Sequence, residues 1–369
     1  MLNVEVLVVG AGPAGATAAL NLAPTRRVAI VDIRSEPRPR IGESLPPAAK
    51  RLLTDMGLFD SFVAEGHRPC YGKVSVWGSA VPTVTDFMRD PDGHGWLLDR
   101  ARFESWLRWL ASLRGAQLLI PGRLETVERI GDRWSVLLTT EAGSVTLTTD
   151  FLIDAGGRSA AVARRLGAHR RVEDDLLCGW TYGQVERAGR WEGLSYVEAV
   201  EDGWWYTAPL PGRRRVLAFH TDADLPAVRW AKRGTVSNEG AALLKHIPPG
   251  SELASSLSES GFSPEDRVEV TTAASVALEP CAGAAWLAAG DAVLSFDPLS
   301  AQGLLNALFT GLAAAETADG YLSGRDDAVS EYTRLLNGIR EAYRAHLTAW
   351  YRLETRWPKS PFWQRRQCG

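Results

Sequence analysis

The chain has 369 residues, 45% of them apolar and 23% charged, with a formal net charge of −3. That length allows two or three joined units with a sizeable core, and the near-neutral charge argues against a protein whose main work is gripping nucleic-acid phosphates. The four cysteines, Cys70, Cys178, Cys281 and Cys368, stand apart with no CxxC and no His/Cys cluster, so no metal site is expected.

The first predicted element, residues 5–9, is an apolar run that reads as a buried parallel strand and not as a secretion signal. No stretch of 18 apolar residues follows, so no membrane partner is expected and the expected location is cytoplasmic. The strand runs into Gly10-Ala11-Gly12-Pro13-Ala14-Gly15, then an alanine-rich helix over 14–22, then a second strand over 27–31 that ends at Asp32, followed by Ile33. This is GxGxxG at a strand-to-helix turn, with an acidic residue 20 positions after Gly12. In a dinucleotide site Gly10 makes the tight turn, Gly12 lets a pyrophosphate approach the helix N-terminus, Gly15 lets helix and sheet pack closely, and Asp32 bonds the adenosine ribose. The motif alone does not separate FAD from NAD.

Three later segments narrow the choice. They are Arg40-Ile41-Gly42-Glu43-Ser44-Leu45-Pro46-Pro47, the start of an amphipathic helix at Arg100-Ala101-Arg102-Phe103-Glu104, and an apolar strand ending in Gly290-Asp291. After the last come Asp297-Pro298-Leu299-Ser300-Ala301-Gln302-Gly303-Leu304 and a helix expected from near Ser300. Between them lie a β-ribbon near 133–148, the run Asp154-Ala155-Gly156-Gly157-Arg158-Ser159, and the aromatic strand Gly203-Trp204-Trp205-Tyr206-Thr207-Ala208-Pro209-Leu210. Residues 328–357 read as one long helix with apolar positions at i+3/i+4 spacing.

Taken together, these segments resemble the FAD-dependent monooxygenases of the hydroxybenzoate-hydroxylase-like and flavin-halogenase-like superfamily. The resemblance covers nearly the whole chain. It implies an α/β fold (α+β overall): a glutathione-reductase-like FAD-binding domain from 1–70, 97–168 and 272–325. A mostly antiparallel substrate domain from 71–96 and 169–271 is inserted into it, and a helical segment follows over 326–369. It implies FAD as cofactor, with Gly10, Gly12, Pro13, Ala14, Gly15, Asp32, Ile33, Arg40, Ser44, Arg100, Gly290, Asp291, Pro298, Ser300, Gln302, Gly303 and Leu304 around it. Arg100 is expected on the pyrophosphate side and Asp291 on the ribityl chain. The helix after Gln302 would aim its N-terminus at the flavin edge that gains negative charge on reduction.

Two departures from family patterns matter. Hydroxylases that use NAD(P)H directly resemble one another in D-G-x-x-S, where this chain has Ala155 in place of the aspartate. The reductant is therefore left open between NADH, NADPH and a separate flavin reductase. Halogenases resemble one another in W-x-W-x-I-P, where this chain has Trp204, Tyr206 and Ala208, and they need a lysine between flavin and substrate. Lys73 is the candidate here, one position out of register. A narrower resemblance, resting on G-E-S-L-P-P, W-G-S, G-W-W-Y-x-A-P-L and D-P-L-S-x-Q-G, is to the flavoproteins that mature protein-derived quinone cofactors. It implies hydroxylation of an indole-type ring through a flavin C4a-hydroperoxide, the substrate being a tryptophan of a partner polypeptide. Hydroxylation of a small aromatic metabolite, halogenation, and a non-catalytic flavin-bound maturation partner are the alternatives.

The candidates for chemistry are Glu43, Asp297, Trp204, Tyr206 and Lys73, with His67, His94 and His220 as further candidate bases. His94 reads as a loop residue and His220 as a surface histidine at a strand end. The aromatic, basic tail 356–366 and Arg213, Arg214 and Arg215 are candidate docking surface for a protein substrate.

Overall fold

The computed structural model describes residues 2–231 and 239–367, so Cys368 lies outside the described residues. Two eight-stranded sheets organise the molecule. The first runs Ala282–Gly283, Trp286–Ala288, Gly143–Asp154, Leu2–Val9, Val28–Val31, Gln117–Leu119, with the strands Gly122–Ile130 and Arg133–Thr140 forming a ribbon on it. Its central pairs are parallel: Leu2–Val9 lies between Gly143–Asp154 and Val28–Val31, with Val9 opposite Asp154 and Val31. Continuous apolar runs such as Val6-Leu7-Val8 and Val28–Val31 are buried, with a layer of helices packed against the sheet.

Those helices are Pro13–Leu22, Arg100–Leu113 and Gly303–Leu322. The first and third approach closely through small residues. A Cβ on Gly311 would stand 2.4 Å from the Ala14 carbonyl oxygen, and one on Gly290 would stand 2.7 Å from Ala14 Cβ. Gly15 meets the Gly10 carbonyl in the same way, at 1.9 Å. The glycines thus set the spacing of the layers around the first turn.

The second sheet runs Ser263–Pro264, Leu176–Gln184, Arg214–Asp222, Gly203–Leu210, Leu194–Val200, Gly72–Val76, Thr83–Asp86, with Glu269–Thr272 also pairing Leu176–Gln184. It is antiparallel except where Leu194–Val200 joins Gly72–Val76 in parallel. Period-2 alternation sorts its side chains. Trp205, Leu217, Phe219, Tyr196 and Val74 pack under the helices Glu239–Leu244 and Glu252–Ser260 on one face. Cys178, Trp180, Tyr182, Trp204, Ala208 and Ala218 make the other face.

The C-terminal helix spans Ala328–Leu353, ending before the expected 357. At Glu354 the backbone turns extended, and the buried carboxylate accepts from Gly78 N at 2.8 Å and pairs with Arg356 at 2.6 Å. A short helix, Pro361–Gln367, then returns to the second face of the sheet. The tail is therefore no free aromatic surface: Phe362 and Trp363 are fully buried, and Arg365 and Arg366 are held by Asp222. Its aromatic residues were spaced for packing against this sheet, which a helix-period count could not reveal.

Candidate active site

The first glycine turn has the shape that a pyrophosphate needs. Gly10 sits at φ +102°, where a side chain would be strained, and its Cβ would fall 2.3 Å from the Ala155 carbonyl oxygen. Gly12 caps the helix that begins at Pro13, and nothing lies within 4 Å of a Cβ there, so the approach to the helix N-terminus is open. Ala14 and Gly15 are buried behind it. Asp32 accepts from Ala11 N at 2.8 Å and from Arg34 N at 2.9 Å, while Ile33 is 60% exposed.

Arg100 does not go to this turn. Its guanidinium donates to the Gly42 carbonyl at 2.7 Å and to Glu104 at 2.7 Å, and Arg40 meets the same Glu104 at 2.5 Å. The two arginines thus fasten the loop that carries Glu43 and Ser44 to the helix Arg100–Leu113. The arginine brought to the glycine turn is Arg108, two helical turns on, which donates to the Ala11 carbonyl at 2.9 Å and stands 3.4 Å from Asp32. The i+8 spacing from Arg100 was the available signal, and it was missed.

The other end of the cleft is built from the Gly290 turn and the helix after it. Gly290 takes φ +62°, and its N–H donates to Thr310 Oγ1 at 2.9 Å. Asp291 keeps a partly exposed carboxylate, 3.6 Å from Arg158, whose other nitrogens donate to the carbonyls of Ala274 and Phe296. Pro298–Ser300 forms a single 3-10 turn, and Ala301 at φ +52° breaks it, so the long helix starts at Gly303 and not at Ser300. No side chain caps that helix, and Gly303 has open space in front of it. The N–H groups of Gly303, Leu304 and Leu305, beside Gln302, are left facing outward as a fixed positive end.

These features fit FAD: an open glycine turn with an acidic residue at the next strand end, a second Gly-Asp turn, and an uncapped helix start. The residues that would hold it are Gly12, Asp32, Asp291 and the first turn after Gln302.

Next to this cleft lie the candidate acids and bases. Glu43 is buried, accepts from Gly42 N at 3.0 Å and from the Tyr182 hydroxyl at 3.1 Å, and burial pushes its carboxyl upward. Tyr182 was not a sequence candidate; only the pairing of distant strands brings it here. Asp297 is also buried. Its carboxylate accepts from Leu299 N and from the Tyr351 hydroxyl at 2.7 Å, and its own N–H donates to Tyr343. Burial lifts its pKa from 3.8 to about 6. Both tyrosines belong to the C-terminal helix, so Asp297 ties the turn before Gly303 to that helix.

Trp204 and Tyr206 stand on the face of the second sheet that holds Cys178, Trp180 and Tyr182. Lys73 projects from the same face, mostly desolvated, with Nζ 4.4 Å from the Trp350 ring centre; desolvation lowers its pKa. His220 is not the surface histidine expected from its strand-end position. It is fully buried and stacks on Trp204 at 3.6 Å, and burial drives its pKa down to about 3. His67 is buried among Phe62 and Phe103 with a pKa lowered to about 4, and His94 lies against Trp96. These three histidines belong to packing. Of the three arginines at 213–215, Arg215 is buried and Arg214 lies 4.5 Å over the Tyr182 ring.

Comparison with known proteins bears on this geometry. The model of the FAD binding domain family matches residues 3–206. Over its full length the chain is 30% identical to LodB of Marinomonas mediterranea, described as an FAD-dependent oxidoreductase, of which it covers 98%. The flavin-dependent halogenase CmlS superposes with a TM-score of 0.85 at 26% identity, over 99% of this chain and 68% of that one. QhpG, a peptidyl tryptophan dihydroxylase essential for tryptophylquinone cofactor biogenesis, shares the fold with a TM-score of 0.72 at 24% identity, over 99% and 79% of the two chains.

Proposed function

The chain belongs to the FAD binding domain family and is an FAD-dependent oxidoreductase, and from that premise we propose that it oxygenates an indole-type ring, carried as a tryptophan of a partner polypeptide whose quinone cofactor is being matured. The observation that carries the reading is the aromatic face of the second sheet. Trp180, Tyr182, Trp204 and Tyr206 stand there together, beside a buried carboxyl, Glu43. A flat electron-rich substrate needs ring contacts to orient it and little else from side chains. The full-length similarity to LodB and the fold shared with QhpG support the same class of reaction.

When bound, FAD supplies the electrons that activate molecular oxygen. The protein's part is to orient the ring, exclude water and move a proton. Trp204 and Tyr206, backed by the buried C-terminal tail, keep water from the site. Glu43 accepts the proton that the substituted ring carbon loses, with Tyr182 holding the carboxylate in place. Ala155 stands where hydroxylases that use NAD(P)H directly carry an aspartate, and we assign reduction to a separate reductase. The test is to reduce the FAD-loaded protein, admit oxygen and a tryptophan-bearing precursor of a quinone enzyme, and read the product by mass. The gain of one or two oxygen atoms on tryptophan is expected, and NADH or NADPH alone should be consumed no faster than without the protein. Unmodified tryptophan under turnover rejects the reading.

Lys73 favours one second reading, halogenation, because it stands desolvated on the same face. Bromide added to the same assay decides it. Brominated product that disappears in Lys73→Ala establishes halogenation, and oxygenated product alone excludes it.

A further inference from the structure

We propose that the edge strand Thr83–Asp86 is the docking site for an extended, basic and apolar segment of the partner polypeptide, which adds as a further strand to the second sheet. The proposal rests on the reading that the substrate is carried by a polypeptide, and it names where that polypeptide is held.

Thr83–Asp86 closes one end of the sheet, and all four of its residues are exposed. Its inner side pairs with Gly72–Val76, with Lys73 opposite Thr85 and Val74 opposite Val84. Phe87 N donates to the Tyr71 carbonyl at 2.9 Å. Counting by two from that bond, Thr85 and Thr83 turn their backbone groups inward, and Val84 and Asp86 turn theirs outward. The Asp86 carbonyl is taken by the 3-10 turn Phe87–Arg89, and no described strand pairs with the rest of that outer side, the Val84 N–H and carbonyl and the Asp86 N–H. A row of alternating donors and acceptors at strand spacing is matched by one kind of ligand, another extended backbone.

The surroundings specify its side chains. Tyr71, Val81, Val84 and Met88 are 46%, 67%, 54% and 62% exposed, an apolar group that a soluble surface gains nothing by displaying. Two exposed carboxylates, Asp86 and Asp90, flank the strand against a single arginine, Arg89. A partner strand with apolar residues on one face and a lysine or arginine beside them complements both features. Location adds a reason. The side chains paired across Lys73 and Thr85 lie on the face that carries Trp204 and Tyr206, so a strand added here delivers the following stretch of chain to that face.

The test uses the FAD-loaded protein and a fluorescently labelled peptide that alternates valine and lysine, with anisotropy as the readout. Saturable binding is expected. The same peptide carrying N-methyl groups on alternate amides should bind about tenfold or more weakly, as should a valine–glutamate counterpart. Val84→Pro removes an outward N–H that nothing inside uses, so it should weaken the valine–lysine peptide to a similar degree while the flavin spectrum and melting temperature hold. Equal binding of the N-methylated peptide to the unaltered protein overturns the proposal without relying on any variant, and absence of binding by the parent peptide does the same. Peptide binding with no oxygenation of tryptophan rejects the proposed reaction and leaves the dock standing. Oxygenation of a protein-borne tryptophan that is indifferent to Val84→Pro rejects the dock alone.

Discussion

Asp297 shows how one carboxyl can couple protonation to the shape of the site. Its pKa of about 6 lies above the 3.8 of a free aspartate because burial disfavours the charged form. The sign follows from linkage. A group that binds its proton more tightly when folded stabilises the fold fully below pH 4, and that contribution is lost as pH climbs through 6. The shift corresponds to about 3 kcal/mol. Asp297→Asn has no charge to bury, so urea titrations should show the variant gaining about that much on the parent between pH 4 and pH 7. A constant difference across that range would contradict the assignment. The carboxylate itself was legible in the sequence, since it precedes Pro298 at a turn. Its partners were not, because Tyr343 and Tyr351 lie 46 and 54 residues away. No local pattern links them.

At the level of elements, the cofactor cleft depends on how closely two helices approach. Pro13–Leu22 and Gly303–Leu322 pass with Gly311 against the Ala14 carbonyl. Gly311→Ala would place a methyl 2.4 Å from that oxygen, and neither backbone can give way cheaply. A loss of about 1–3 kcal/mol is expected by chemical denaturation. Because the displaced helix is capped by Gly12, FAD affinity should fall as well, measured by flavin fluorescence. Unchanged stability and affinity would show that the layers are looser than drawn.

The first βαβ unit could be read directly, since GxGxxG, the alanine-rich helix and Asp32 are all within one local stretch. Observed bounds of Leu2–Val9, Pro13–Leu22 and Val28–Val31 sit within a few residues of those expected. The start of the later helix could be read only to within Ser300–Gly303, and it falls at the later end of that span. The strained Ala301, which makes the break, has no signature in its side chain. Arg100 and Arg108 were separable only by knowing which turn of their helix faces the glycines.

The whole molecule is closed by its last residues. Trp363 is fully buried, donates to the Val200 carbonyl at 3.0 Å, and packs edge-on to Trp77 at 5.3 Å. Trp363→Ala should cost about 3–5 kcal/mol. It should also let water reach the aromatic face, so more of the oxygen consumed by the reduced protein should appear as hydrogen peroxide in a catalase-coupled assay. An unchanged peroxide yield in a folded variant would separate the tail from water exclusion. The sequence showed the tail's composition, aromatic and basic, and that composition suits an outer surface as well as an inner one. Only the sheet beneath it, assembled from segments far upstream, decides between them.

The one parallel pair in the second sheet has a consequence for how the chain is made. Gly72 lies opposite Leu194, so the strand that carries Lys73 leaves the ribosome long before its neighbour exists. At ~5–20 residues per second, the interval is about 6–24 s. During it, the hairpin of Gly72–Val76 and Thr83–Asp86 has two open edges, the inner one to be covered by its own chain and the outer one left bare. A nascent chain in that state can pair wrongly with a second copy. Slower translation between Gly72 and Leu194 should lengthen the interval and raise the aggregated fraction, and synthesis in two overlapping fragments should raise it further.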